Sequence, residues 1–417
     1  MCDERDALGR RSHGADGVDS SAGQYRNGHH QAGGGEKAEA PEQIAPGVTT
    51  KVFPEAAHEL KRSFISEARG SASVAWRPVL LLALTAAVGV SGCRAAYVAR
   101  LAYEEVRYLA GARPIEELIA QTQDPARVQA LALVLEVRRF AAGRGLDPGK
   151  SYLEVADTGS AAPFQVVTAA PVDRLEPYTW WYPVIGAIPY RGYFDRGQAE
   201  AFAASLEAEG LDTRIVEASA YSTLGWFNDP LPSSVLDRGP LVIATTVLHE
   251  LVHQNFFAPG QVAFNETLAT AVAYRLAAEF FDGRGDAASG DRLRRAKAVW
   301  LARGRELDAG AVSLQTLFDR ARAEGWPRER LLAERDVIYG SIKESAARQD
   351  SSFAAALADG GLNNASFLAI YRYAERAALL DDFLAGQEGE WLTAALARLR
   401  VLTQSGKDAY EAVANRS

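Results

Sequence analysis

The sequence predicts an α+β fold that is predominantly helical and contains a small mixed sheet. Residues 94–150 and 241–417 repeat apolar residues at helical spacing and are rich in alanine, leucine, arginine and glutamate. Residues 151–240 differ, because short β-branched and aromatic runs alternate there with proline and glycine, as they do in short strands. The chain has 417 residues, of which 48% are hydrophobic, so a large buried core is expected.

The first 93 residues form two segments of different composition. Residues 1–75 are polar and rich in glycine, without a sustained apolar period, so we expect them to be disordered. Residues 76–93 then carry Arg77, the apolar run 79–90 and the triplet Ser91-Gly92-Cys93. A run of this length is too short to span a bilayer and is typical of a signal peptide, although a buried core helix has the same length.

The sequence VSGC at the end of this run resembles a bacterial lipobox. This resemblance implies cleavage before Cys93 and attachment of a diacylglyceryl group to its sulfur, and hence a lipid-anchored protein of the bacterial cell envelope. Since a signal belongs at an N terminus and no methionine follows Met1, we expect translation to begin near Val74 from a codon other than AUG. Residues 1–73 would then not be translated.

The next 57 residues or so are predicted to form helices. Residues 97–110 are amphipathic, and glycine and proline end this pattern. Asp124 is a typical N-cap, and Pro125 occupies the first helical position. The second helix is expected to continue to about Ala142 and to end at Gly143.

The α+β section, 151–240, contains the predicted strands. Residues 164–167, 180–188 and 213–216 are β-branched or aromatic, and residues 180–188 are interrupted by proline and glycine. Asp195 is expected to cap a helix that continues to about Glu209. The remaining residues are divided into the site helices, 241–283, and a helical region, 284–417.

The strongest motif is His249-Glu250-Leu251-Val252-His253, an HExxH sequence within the apolar run 241–257. Residues four apart lie on the same face of a helix, so both imidazoles can reach a single Zn²⁺ while Glu250 addresses a water molecule. The alternative is a pair of hydrogen-bonded core histidines with Glu250 paired to a basic residue. We favour the zinc site, because a carboxylate buried beside two imidazoles is costly without a metal or strong partners.

A catalytic zinc ion needs a third protein ligand. After Cys93 the sequence has no histidine other than His249 and His253. The ligand is therefore expected to be a carboxylate. Glu266 is the main candidate, since it follows His253 by 13 residues, lies beyond a proline–glycine break and opens the next apolar helix. Asp282 and Glu279 are alternatives, but they lie several turns further along this helix and are expected to face solvent.

The surroundings of Glu266 are predicted to support the site. Asn265 can cap the helix or orient a ligand, and Thr270 lies on the same helix face as Glu266. Thr270, Ala273 and Ala277 are small, so this helix can pack closely against the one that carries the motif.

The expected chemistry is hydrolysis of an amide by a metal-activated water, with Glu250 as general base. The developing oxyanion needs a donor besides zinc, and no histidine is left for that task. Tyr221 and Tyr373 are the candidates, although ordinary packing with the hydroxyl at the surface is the favoured interpretation for either tyrosine taken alone.

Several segments together resemble the "putative aminopeptidase" family of bacterial lipoproteins, which is grouped with the gluzincin metallopeptidases. They are, in chain order, SGC (91–93), ARPIEELI (112–119), YRGYF (190–194), AYSTLGWFNDPL (220–231), HELVHQ (249–254), FNETLATAVA (264–273) and LNNA (362–365). The resemblance implies a zincin-like metallopeptidase core that binds one zinc ion. It implies His249, His253 and Glu266 as ligands and Glu250 as base.

The sequence departs from the best-studied gluzincin aminopeptidases, because it lacks the GxMEN loop that binds the substrate amine. If the protein binds an N-terminal amine, an acid near the cleft must do so, and Asp229 is the candidate. The leading interpretation is a zinc-dependent peptidase that acts on peptides, with aminopeptidase activity implied by the family. The alternatives are a zinc endopeptidase or other amide hydrolase, and a non-catalytic envelope lipoprotein that binds a partner. The net charge of −8 argues against a nucleic-acid partner.

Overall fold

The computed structural model describes residues 97, 100, 103, 104, 107–158, 164–182, 186–218, 229–349, 351–358, 361–404 and 408–415. All of them belong to the structural unit Gln43–Ser417. The predicted signal segment with Cys93, and Tyr221, lie outside the described residues, as does the glycine-rich tract 1–75.

Helices make up most of the described chain. They are α1 (Ile115–Gln121), α2 (Pro125–Gly143), α3 (Arg196–Ala208), α4 (Ser233–Leu236), α5 (Pro240–Asn255), α6 (Val262–Gly283), α7 (Ala287–Glu324), α8 (Arg328–Gln349), α9 (Ser351–Ala358), α10 (Asn364–Tyr371), α11 (Ala377–Ala385), α12 (Trp391–Thr403) and α13 (Ala409–Ala414). None of the helices in these residues is both long enough and apolar enough to cross a bilayer.

The strands of the described residues are short and form three small sheets, one of which is mixed, as predicted. They are β1 (Ala112–Pro114), β2 (Glu154–Ala156), β3 (Phe164–Pro171), β4 (Trp180–Tyr182), β5 (Gly186–Ile188), β6 (Arg191–Tyr193), β7 (Leu211–Ala218) and β8 (Leu231–Pro232). The first sheet, in the order β1-β2-β8, is mixed, because β2 pairs antiparallel with β1 and parallel with β8. The sheet β6-β3-β7 and the hairpin β4-β5 are antiparallel.

Two predicted helix starts are confirmed by their capping hydrogen bonds. The carboxylate of Asp124 accepts a hydrogen bond from the backbone N–H of Ala126 at 2.9 Å, with Pro125 as the first helical residue of α2. The carboxylate of Asp195 accepts one from the N–H of Gln198 at 2.9 Å, at the start of α3. In each case a short acidic side chain satisfies an N–H that the first turn of a helix leaves without a backbone acceptor.

The centre of the fold is the pair α5 and α6. Residues 241–253 of α5 are all buried, since this helix is apolar on every side and is covered by α2 and α6. The helix α6 packs between α5 and the long helix α7. The strand β8 leads through the single turn α4 directly into α5, so the mixed sheet lies at the N-terminal end of the motif helix.

Candidate metal centre

The two histidines of the motif lie side by side on α5. Their Nε2 atoms are 3.1 Å apart, and their ring centroids are separated by 4.7 Å. Both side chains are almost completely inaccessible to solvent, with exposed fractions of 0% for His249 and 2% for His253. The spacing of four residues therefore brings two imidazole nitrogens to one point inside the protein.

Glu266 reaches the same point from α6. Its Oε2 atom lies 3.1 Å from Nε2 of His249 and 3.3 Å from Nε2 of His253. Glu266 is itself buried. Three potential ligand atoms from two helices thus form a small triangle.

Glu250 belongs to the same cluster. It is completely buried, and one ligand atom each from His249, Glu250 and His253 lie within 4.8 Å of one another. Two carboxylates and two imidazoles therefore share one buried site. Because burying such groups is costly unless a cation or strong hydrogen bonds compensate, this arrangement can hold a metal ion.

Thr270 lies behind His249, one turn after Glu266 on α6. Its Oγ1 atom donates a hydrogen bond to the backbone carbonyl of Glu266 at 2.8 Å and lies 3.5 Å from Nδ1 of His249. Since the hydroxyl proton is used for the carbonyl, the oxygen is left as an acceptor for an Nδ1–H. This contact favours the tautomer in which Nε2 keeps its lone pair toward Glu266.

The prediction that Glu266 opens its helix is wrong. The helix α6 begins four residues earlier, at Val262, and Gln261 occupies the N-cap position. The chain turns at Gly260, whose φ of +68° suits glycine, so the break that separates the two helices is shorter than expected.

Asn265 consequently does not cap α6. Its amide group instead accepts a hydrogen bond from the N–H of Ala258 at 2.8 Å and donates one to the carbonyl of Ala258 at 2.7 Å. Asn265 is buried next to Glu266 and fixes the connection between α5 and α6. Asn265 can therefore affect the positions of the histidines and Glu266 only indirectly, by fixing the segment that joins the two helices.

Tyr373 lies close to the histidines, in the turn between α10 and α11. Its ring centroid is 6.4 Å from that of His249, and its backbone carbonyl accepts a hydrogen bond from Nε1 of Trp300 at 3.0 Å. The structure therefore places one of the two predicted oxyanion donors beside the cluster.

Asp229, the predicted amine-binding acid, lies two residues before the start of β8 and has an exposed fraction of 3%. Its backbone carbonyl accepts a hydrogen bond from the N–H of Tyr152 at 2.7 Å. Tyr152 is fully buried, and the pKa of its hydroxyl is raised well above the usual value, first by burial and then by the negative charges of Glu250 and Asp229. No motif marks Tyr152 in the sequence, and sequence reasoning missed it.

The alternative ligands lie elsewhere. Asp282 pairs with Arg294 at 2.6 Å, and its side chain is 40% exposed. Glu279 pairs with Arg144 at 2.8 Å and accepts a hydrogen bond from Nε1 of Trp391 at 3.0 Å. Both are held at the surface of α6 by these partners, as expected from their distance along the helix.

The LNNA segment, 362–365, joins the helical region to the antiparallel sheet. The side chain of Asn364 donates to the backbone carbonyls of Pro171, at 2.7 Å, and of Arg174, at 3.1 Å. It accepts a hydrogen bond from the hydroxyl of Tyr339 at 2.6 Å. Asn364 is completely buried and fully hydrogen-bonded, so this segment acts in folding rather than in the metal centre.

Comparison with known proteins gives one match. The model of a family described as "Putative aminopeptidase" matches residues 96–412, which is most of the chain and includes the metal centre. No curated protein sequence and no solved structure matches the chain significantly.

Proposed function

The chain belongs to the "putative aminopeptidase" family, and we propose that it is a zinc-dependent aminopeptidase whose metal ligands are His249, His253 and Glu266. The observation that carries this proposal is the triangle formed by Nε2 of each histidine and Oε2 of Glu266, with sides of 3.1 to 3.3 Å. Family membership supports a peptidase, and the metal and the mechanism are argued from the residues.

The donor set and its spacing fit zinc. A tetrahedral zinc ion with ligands at about 2.0–2.1 Å separates its ligand atoms by about 3.3 Å, close to the sides of the triangle. Two histidines and one glutamate are a ligand set of catalytic zinc sites, which keep a fourth position open. We therefore assign Glu266 rather than Glu250 as the third ligand, because Glu266 Oε2 contacts both Nε2 atoms, and we take the pair α5 and α6 as a zincin-like core.

In the proposed mechanism the two buried carboxylates have different roles: Glu266 binds the metal and Glu250 transfers the proton. Bound zinc would act as a Lewis acid and lower the pKa of a water molecule. Glu250 is the general base that accepts a proton from the attacking water and then gives it to the leaving amine. Tyr373, on the His249 side of the cluster, donates a hydrogen bond to the oxygen on which negative charge develops. Thr270 holds the ring of His249 in the required tautomer.

We propose that the substrate is a peptide with an unblocked N terminus. The buried carboxylate of Asp229 supports this proposal, because the carbonyl of Asp229 accepts a hydrogen bond from Tyr152 and the charges of Asp229 and Glu250 both raise the pKa of the Tyr152 hydroxyl. A carboxylate in such a position attracts a protonated amine and orients the first peptide bond toward the base.

We further propose that the protein is lipid-anchored through Cys93 and works in the bacterial cell envelope. The support is the order of the sequence features before Cys93, namely an arginine, an apolar run of 12 residues and a small-residue triplet. Substitution Cys93→Ser should abolish incorporation of a radiolabelled fatty acid and release the protein from membranes. Unchanged labelling would refute the anchor and would leave the metal centre unaffected.

The function is tested with the purified full chain loaded with zinc. We expect about one zinc ion per chain and cleavage of peptides with an unblocked amine but not of their N-acetylated counterparts. Cleavage of both sets would instead identify an endopeptidase. A folded chain that binds zinc poorly and cleaves neither set would refute the enzyme and favour a non-catalytic lipoprotein.

A further inference from the structure

Tyr152 has a backbone conformation that side chains rarely adopt. Its φ is +58°, and Arg376 is the only other non-glycine residue with positive φ in the ranges that the structure describes. The left-handed region is strained for residues with a Cβ atom, and for a bulky aromatic residue it is unusual. Such strain persists only where the surrounding structure enforces it, and it is often found at active sites.

The segment before Tyr152 is held from two sides. From α2, the guanidinium group of Arg138 donates hydrogen bonds to the carbonyls of Pro148, Gly149 and Ser151. From the end of α5, the side chain of Asn255 accepts a hydrogen bond from the N–H of Asp147 at 2.7 Å and donates to its carbonyl at 2.9 Å. Asn255 follows His253 by two residues, so the metal-centre helix itself fixes this segment.

The hydroxyl of Tyr152 is completely buried and has no hydrogen-bond partner among the described residues. A buried polar group without a partner destabilises a protein, and phenylalanine would fill the same space without this cost. The position therefore combines a strained backbone with a hydroxyl that does not stabilise the fold. This combination is expected of a residue kept for function.

The charges around Tyr152 indicate what its hydroxyl meets. Glu250 and Asp229 are the acidic neighbours that raise its pKa after burial, and the backbone N–H of Tyr152 is bound to the carbonyl of Asp229. Negative charge near the hydroxyl of Tyr152 disfavours a developing oxyanion there and favours a cation. The oxyanion therefore belongs on the Tyr373 side of the cluster, and a positively charged group belongs beside Tyr152.

We propose that the hydroxyl of Tyr152 and the carboxylate of Asp229 together bind the protonated N-terminal amine of the substrate. This inference deepens the proposed aminopeptidase function and rests on it. An ammonium group has three N–H donors, and here it finds a neutral hydroxyl oxygen and a carboxylate as acceptors. Tyr152 is then a specificity-determining residue that distinguishes an unblocked amine from an acylated one.

The proposal is tested by binding without turnover. In the full-length, zinc-loaded Glu250→Gln variant, calorimetry measures the Kd of a dipeptide with an unblocked amine and of its N-acetylated form. Adding Tyr152→Phe should weaken binding of the unblocked dipeptide about tenfold and leave the acetylated one unchanged. Asp229→Asn should reduce the same preference further, because it removes the charge. Equal weakening of both ligands, or no change for the unblocked one, would overturn the proposal.

Thermal unfolding separates this role from a structural one. Tyr152→Phe removes a hydroxyl without a described partner, so Tm should stay unchanged or rise. The control Tyr339→Phe removes a hydroxyl that donates to Asn364 at 2.6 Å, so Tm should fall while the amine preference is kept. A lower Tm for Tyr152→Phe would contradict the proposal. If the wild-type chain neither retains zinc nor cleaves peptides, the proposed function fails. If it does both and Tyr152→Phe leaves the two Kd values unchanged, only the role of Tyr152 is refuted.

Discussion

The carboxylate of Glu266 lies 3.1 Å from Nε2 of His249, although the two residues are 17 positions apart and belong to different helices. The close packing of α5 and α6 brings them together, and the hydroxyl of Thr270 on α6 lies 3.5 Å from Nδ1 of His249 on α5. Asn265 fixes the connection between the helices through Ala258. The ligand geometry is therefore a property of the helix pair and not of the HExxH motif alone.

Removing one corner of the triangle should strongly weaken metal binding. His249→Ala or Glu266→Gln is expected to weaken zinc affinity by on the order of 100-fold or more, measured by metal analysis and competition with a chelator. The control Glu279→Gln changes a glutamate of the same helix that pairs with Arg144. It should retain zinc, and equal losses in Glu266→Gln and Glu279→Gln would exclude a specific role for Glu266.

Replacing Tyr373 should affect the chemical step. Tyr373→Phe is expected to lower kcat by about 10²–10³ with little change in KM, because a donor to the developing oxyanion acts mainly in the transition state. Zinc content should remain that of the wild type. If KM rises while kcat is kept, Tyr373 contributes to substrate binding and the oxyanion donor is another group. Tyr339→Phe, in a tyrosine of the sheet junction, serves as the control.

The stability of the protein should depend on the protonation of Glu375, which follows Tyr373 by two residues. Burial raises the pKa of Glu375 from 4.5 to about 7, with Arg376 lowering it and Asp308 and Asp408 raising it. Since the folded protein binds this proton more tightly than the unfolded chain, the free energy of unfolding falls as pH rises from about 4.5 to 7.

Substitution Glu375→Gln should remove this pH-dependent fall in the free energy of unfolding. We expect the variant to be more stable than the wild type by up to about 3 kcal/mol at pH 8 and to gain nothing at pH 4, as measured by urea unfolding. Glu344→Gln, in an exposed residue of α8, should show little change at either pH. An equal gain for Glu375→Gln at both pH values would mean that packing, and not the proton, is responsible.

The junction at Asn364 should matter for folding and not for metal binding. Asn364→Ala leaves two carbonyls and the Tyr339 hydroxyl without their partner, so a loss of about 2–4 kcal/mol in unfolding free energy is expected. Asn363→Ala, which removes the N-cap of α10, should cost about 1 kcal/mol. Zinc content of the folded fraction should stay normal in both variants. A loss of zinc with unchanged stability would show that Asn364 supports the metal centre and not the fold.

The sequence was sufficient to predict the motif helix and the partners of its histidines. The apolar run around His249 predicts a buried helix, which the structure confirms, and Glu266, the carboxylate that the scarcity of histidine suggests as a ligand, lies 3.1 Å from Nε2 of His249. The start of α6 was placed too late, because a proline–glycine pair marks a turn without showing how soon the next helix begins. In the structure that helix starts two residues after Gly260.

The role of Tyr152 could not be predicted from the sequence. Its importance depends on a positive φ, complete burial and the nearby charges of Glu250 and Asp229, which come from three separate segments of the chain. The same holds for Asn364, whose partners lie as many as 193 positions away. Local patterns carry no information about such distant contacts, whereas the spacing of four residues in the motif does.

The most direct test of the central claim is the Glu250→Gln variant. Glutamine has the same shape as glutamate and cannot accept a proton, so the variant should retain about one zinc ion per chain while peptide hydrolysis falls by about 10²–10⁴. Retained zinc with lost hydrolysis would identify Glu250 as the base that accepts the proton of the attacking water. Wild-type turnover in Glu250→Gln would contradict the account, because the proton would then be transferred by another group.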